Sequence, residues 1–182
     1  MTIRPVRLFG DPVLVTPAEP VTDFDRQVRR LVKDLTQTLR DQQGAGLSAP
    51  QIGVGLRVFV FDVDGVSGHL IDPVLEFPDE AEQDGPEGCL SFPGMYYDVK
   101  RRGNAVAAGF DSDGRPVQVA GDRQLARCLQ HEADHLDGVL FIDRMDAATR
   151  KQAMRDIRAA EWAGLALPDV RVSPHAVHGL IR

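Results

Sequence analysis

No run of apolar residues in this 182-residue sequence approaches the roughly 20 needed to cross a membrane. Its opening stretch, MTIRPVRLFGDPVLVTPAEP, never reaches the roughly 7–15 consecutive apolar residues of a secretory signal either. Both absences point to a cytoplasmic protein with no membrane partner. Dense runs of Lys or Arg are also missing and the formal charge is −6, so a generic nucleic-acid surface is disfavoured and only a local basic patch stays open. With just two cysteines, Cys89 and Cys128, the chain is not a disulfide scaffold, and a lone bridge suits a reducing cytosol poorly. Thiol chemistry or packing remains for them. Internal repeats and low-complexity tracts are absent as well, which removes repeat architectures from consideration.

What is present suits one domain with a sizeable core, since 43% of the residues are hydrophobic. Asp23 reads as the start of a first helix, with Phe24, Val28, Leu31, Val32, Leu35 and Leu39 spaced by three or four, and Gly44 or Gly46 as its end. LRVFVFDV, GHLIDPVLEF and NAVAAGFDSDGRPVQVA follow, rich in Val, Phe and Ile, the last with a turn at Asp113-Gly114. This middle region is mostly sheet. Gly121-Asp122 opens a second helix, RQLARCLQHEADHL, closed by Gly138, and a third helix runs roughly through DAATRKQAMRDIRAAEWAGL. Residues 1–167 are read as a single domain and 168–182 as a surface or mobile tail.

The second helix carries His131, Glu132 and His135 in the pattern H-E-x-x-H. Residues i and i+4 share a helix face, so the two imidazoles can aim at one ion while Glu132 stands close enough to take a proton from water. Ordinary helix surface is the rival reading of so short a pattern. Against it, Leu129 and Leu136 flank the motif on a helix that reads as central, and polar groups near a core need partners.

Two histidines are too few for an open catalytic site, which takes three protein ligands. Cys128 shares a face with His131, yet it lies about 10 Å along the axis from His135 at 1.5 Å per residue. No metal–sulfur bond of about 2.3 Å spans that, so Cys128 reads better as a packed thiol. Cys89 sits in GPEGCLSFPG, a loop able to deliver a ligand from elsewhere; a buried structural cysteine is the alternative. QQGAGLSAPQIGVG, residues 42 to 55, clusters glycines around Gln51, whose amide could donate to an oxyanion. Taken alone, that stretch reads more simply as a tight helix-to-strand turn.

Three stretches in this order resemble peptide deformylases: Gly44-Ala45-Gly46-Leu47-Ser48-Ala49-Pro50-Gln51, then Glu87-Gly88-Cys89-Leu90-Ser91, then Gln130-His131-Glu132 with Asp134-His135-Leu136 and Gly138. GDPVL, Gly10 to Leu14, is similar too, so the likeness covers most of residues 5 to 165. It implies an α+β fold of small antiparallel or mixed sheets around a central helix that carries H-E-x-x-H. It further implies a metal-dependent hydrolase that removes the formyl group from the N-terminal formyl-methionine of nascent chains, at the ribosome exit. By this resemblance Cys89, His131 and His135 hold one divalent ion, with Fe²⁺ as the cellular metal and Zn²⁺, Ni²⁺ or Co²⁺ as replacements. Water at the ion attacks the formyl carbon, and Glu132 is general base and acid. Gln51 and the Leu90 N–H hold the formyl oxygen, while Gly46, Ala45, Arg127 and Cys128 contact the peptide.

The sequence departs from the family pattern at Ser48, where alanine is commoner. FPGMYYDVKRRGNA brings Tyr96 and Tyr97 to the expected pocket edge, and either Arg101 or Arg102 can pair with Glu87. A metallopeptidase would need another third ligand: Phe141 stands where the extended H-E-x-x-H pattern wants histidine, and Glu161 lies in a plain charged helix. A closed structural metal site lacks a fourth donor near the others, His69, His175 and His178 being unmotivated.

Overall fold

Asp25 decides where the first long helix begins. Its carboxylate accepts from the Gln27 and Val28 N–H groups, so α1 runs Arg26–Gln42 rather than from Asp23, whose carboxylate accepts from the neighbouring Thr22 hydroxyl. The helix end also differs from expectation. Gln43 itself turns left-handed (φ 52°), and its N–H and that of Gly44 return to the Arg40 and Leu39 carbonyls, so neither Gly44 nor Gly46 is the cap. The structure, a computed structural model, describes residues 3–164; the tail expected over 168–182, with His175 and His178, lies outside them.

After α1 come β1 (Gly46–Ser48), β2 (Val58–Val63), β3 (Val66–Glu76), β4 (Glu82–Gln83), β5 (Pro86–Gly88), β6 (Tyr96–Asp98), β7 (Arg101–Arg102), β8 (Asn104–Phe110) and β9 (Pro116–Asp122). Then follow α2 (Arg123–Leu136) and α3 (Ala147–Ala159). The main sheet has the order β1-β2-β3-β8-β9, and the pairs β4-β7 and β5-β6 form two small ribbons. Every ladder between these strands is antiparallel; the parallel element is an isolated bridge between Glu19 and Leu56. Gly114 (φ 78°) makes the β8-β9 turn, and Asp111 accepts from the Asp113 and Arg115 N–H groups there.

Alternation along β2 explains how the sheet joins both long helices. Val58 and Val60 belong to the core shared with α1 through Val28, Leu35 and Leu39. Phe59 and Phe61 point the other way, into a core with Leu125, Leu129 and Leu136 of α2. Covered on both faces, β2 reads as a nearly continuous apolar run. The helix α2 is therefore enclosed, and all residues from Leu125 to Leu136 are buried, including both histidines and Glu132. Among the described residues no helix is long and apolar enough to cross a membrane.

The third helix is shorter than its sequence pattern suggests. Ala160 turns extended (φ −70°, ψ 140°), and Trp162 folds back so that its indole N–H reaches the Pro93 carbonyl and its ring meets Phe92 edge-on. Burying the indole against that loop competes with another helical turn.

Candidate metal and catalytic site

The ribbon β5-β6 and the helix α2 bring the candidate donors together. Cys89 follows β5 directly, while His131 and His135 stand one turn apart on α2. Their three donor atoms lie within 4.8 Å of one another, with Cys89 Sγ 3.2 Å from His135 Nε2. Burial keeps His135 well below the usual histidine value, favouring the neutral imidazole that ligates metals. Cys128 lies outside this group. Its thiol donates to the Ala45 carbonyl at 3.4 Å, and burial, with Glu132 and Glu87 nearby, pushes it well above the ordinary thiol range. Glu161 is exposed in the turn after α3 and also lies outside the group.

Glu87 holds the frame. Its Oε2 accepts from Arg101 Nε (3.0 Å) and Arg127 Nη1 (2.9 Å), and its Oε1 from Arg101 Nη2 (2.7 Å) and His131 Nδ1 (2.8 Å). Burial by itself would raise this carboxyl; the hydrogen bonds from His131 and Arg101 overcome it and hold the group well below the usual carboxylate range. With Nδ1 engaged, His131 keeps Nε2 for the donor group, the arrangement by which an outer carboxylate orients a ligating imidazole. Arg101 also donates to Asp134, which Arg144 grips with two further bonds. Arg102 instead pairs with Glu80. Sequence reasoning placed an arginine on Glu87 but missed its histidine, 44 residues away in the chain.

Glu132 is buried with Oε2 unpartnered among the described residues. Burial pushes its carboxyl up to about 7, with Glu87 adding to the rise and His131 opposing it. A solvated surface glutamate would show none of this. Glu132, Gly46, Gln51, Cys89, Leu90 and Tyr96 line one cavity of about 630 Å³, with Ala45, Arg127 and Cys128 also on its wall. Tyr97 does not line it: its hydroxyl donates to Asp156 of α3 at 2.7 Å, which leaves Tyr96 alone at the mouth. Gln51 Nε2 donates to Ser91 Oγ at 3.3 Å and lies 3.5 Å from Cys89 Sγ. Leu90 N–H has no protein acceptor among the described residues.

A second cleft, of about 580 Å³, opens on the other flank of α2. Its four arginines are already paired, Arg57 with Asp137, Arg101 with Glu87 and Asp134, Arg102 with Glu80 and Arg144 with Asp134, and none of the three donor residues lines it. The chemistry therefore belongs to the first cavity.

One thiol, two imidazoles and an adjacent buried carboxylate fit an open ion site that leaves a position for water. The fold and this donor set define the class of a metal-dependent hydrolase. The profile of the family described as Polypeptide deformylase matches residues 3–151. A peptide deformylase of Acidothermus cellulolyticus is 62% identical over 179 residues, covering 98% of each chain, and one of Parafrankia sp. is 55% identical over 181 residues, again covering 98% of each. Among solved structures, the peptide deformylase of Thermus thermophilus superposes with a TM-score of 0.81 at 38% identity, covering 86% of this chain and 94% of that one. The enzyme of Synechococcus elongatus in complex with actinonin gives 0.79 at 37%, covering 87% of both chains. The chain belongs to the polypeptide deformylase family, and its reaction is removal of the N-formyl group from nascent peptides.

Proposed function

We propose that Cys89, His131 and His135 hold the ion and that Glu132 moves the proton during deformylation. The observation that carries this reading is Glu132 itself: a buried carboxylate, one oxygen unpartnered, beside His131 on the cavity wall, with its carboxyl pushed up to about 7. When bound, the ion supplies Lewis-acid polarisation and makes water more acidic. Glu132 takes a proton from the attacking water and returns it to the departing amine nitrogen of methionine. Gln51 Nε2 and the Leu90 N–H, both beside Cys89, hold the formyl oxygen as negative charge develops on it. Glu87 keeps His131 in the tautomer and orientation that ligation needs.

The peptide is proposed to lie along β1. This is the edge strand of the main sheet, and Gly46 and Ala45 bring its backbone to the cavity, so an extended chain can add there as a further strand. Cys128 and the aliphatic stem of Arg127, whose Nη1 is committed to Glu87 and the Val99 carbonyl, offer apolar wall to the methionine side chain. Fe²⁺ is the proposed cellular ion, Zn²⁺, Ni²⁺ and Co²⁺ its replacements, and formyl-methionyl peptides leaving the ribosome exit the proposed substrates.

The test offers the holoenzyme a formyl-methionyl peptide and its unformylated twin, following formate and peptide length together. Formate from the first, with both peptides left at full length, is expected. Internal cleavage of either peptide without formate would overturn the assignment.

A further inference from the structure

We propose that Ser48 is a positioning residue for Gln51, its hydroxyl fixing and polarising the amide that receives the formyl oxygen. This rests on the reading of Gln51 as an oxyanion donor. An amide side chain can present either its oxygen or its NH₂ to a given side, and only one of the two orientations stabilises negative charge. In this site the choice is made behind Gln51. Its Oε1 accepts from Ser48 N–H at 2.9 Å and from Ser48 Oγ at 3.0 Å. Flipping the amide would set two donors against each other at the backbone N–H.

The hydroxyl adds a second donor to the same oxygen. Two bonds on Oε1 restrict rotation of the amide and draw electron density toward oxygen, which makes the N–H groups at the other end better donors. One of those hydrogens is held by Ser91 Oγ at 3.3 Å, and the other lies on the side of Cys89, whose Sγ is 3.5 Å from Nε2. The chain of contacts thus runs Ser48 to Gln51 to the corner where the formyl oxygen would sit. Ser48 is itself fully buried at the end of β1, paired in register with Phe59, and it does not line the cavity. Any effect on the reaction must pass through Gln51. Ser48 and Gln51 also form the capping box that opens the short 3-10 turn Ala49–Ile52, so the hydroxyl and the amide are tied to each other at both side chain and backbone.

Ser48→Ala keeps the Ser48 N–H on Gln51 Oε1 and removes the hydroxyl with its half of the capping box, so its kinetics are read beside a melting curve. In the holoenzyme it should lower kcat by about three- to tenfold and leave KM nearly unchanged, since a bond that strengthens only as charge develops acts on the transition state. Two further measurements separate positioning from packing. In a Gln51→Ala background, Ser48→Ala should cost nothing more. In the zinc form, the Gln51 side-chain amide should show two well-dispersed ¹⁵N–¹H resonances whose separation shrinks when Ser48 becomes alanine. An equal loss in both backgrounds, or an unmoved resonance pair, would overturn the proposal. A silent Ser48→Ala beside a crippled Gln51→Ala would overturn it while leaving Gln51 its role. A silent Gln51→Ala would remove that role and this inference with it.

Discussion

Replacing Gly46 with alanine should damage turnover far more than it damages the fold. Gly46 is not among the glycines with positive φ, so its backbone accepts a side chain without strain. The space does not. A Cβ there would stand 2.7 Å from Glu132 Cγ and 2.8 Å from Cys128 Sγ, and closer still to Glu132 Oε1. Ordinary contact begins near about 3.5 Å, so the Glu132 carboxylate must retreat by about 1 Å. Both neighbours are buried, and Glu132 can give way only by moving along the wall of the cavity it lines. Overpacking of this size costs about 1–3 kcal/mol, which lowers the melting temperature by several degrees but leaves a domain of ordinary stability folded at 25 °C. Misplacing a catalytic group by about 1 Å, in contrast, can cost about 100-fold in rate. The assay is formate release at 25 °C, run beside ion content and a melting curve. Near wild-type kcat in a variant whose melting point had dropped would refute the reasoning, because strain would then be present without any displacement that matters to Glu132.

Three other outcomes are expected. Cys89→Ala should lower the bound ion, whereas Cys128→Ala, whose thiol is tied to the Ala45 carbonyl, should leave ion content close to normal; elemental analysis showing the reverse order would contradict the donor set. Protein loaded with Fe²⁺ without oxygen should deformylate fast and lose activity in air, as a thiolate on ferrous iron is open to oxidation, while the zinc form should be slower and stable in air. An iron form no faster than zinc would remove iron as the working metal. Away from the site, burial holds His69 below its usual value against the pull of Asp111 and Asp113, and its Nε2 accepts from the Ser112 N–H. A base lowered in this way takes up its proton more readily when unfolded, so its contribution is full above about pH 6.5 and is lost as the pH falls through that value toward the folded one. The melting temperature should therefore drop between about pH 7.5 and 5.5, and less steeply in His69→Gln; parallel curves would exclude His69.

Periodicity made α2 legible, because its apolar residues recur as a helix face and its capping positions, Asp122 and Gly138, flank the motif. The β8-β9 hairpin was equally plain from Asp113-Gly114 between two strand-like runs. Helix ends were harder, since Asp23 and Asp25 are equivalent as residue types and only the geometry at Gln27 and Val28 chooses between them. Gln43 as a left-handed cap gave no signal at all, with two glycines just beyond it. In the site, H-E-x-x-H could be read because i, i+4 spacing is local. The Glu87 frame joins β5, β7 and α2 across separations of 14, 40 and 44 residues, and no pattern along the chain encodes such a convergence. The Ser48 hydroxyl on Gln51 is close in sequence yet equally silent, because a buried serine followed by a glutamine has many other ways to satisfy both.

The central claim, that Glu132 moves the proton while Cys89, His131 and His135 hold the ion, is tested most directly by Glu132→Gln. The amide keeps the size of the side chain and removes its ability to accept a proton. Ion content and formate release from a formyl-methionyl peptide should be measured on the same preparation. The account predicts a full complement of ion with turnover reduced by about 10²–10⁴-fold. Near-normal formate release with the ion retained would contradict it.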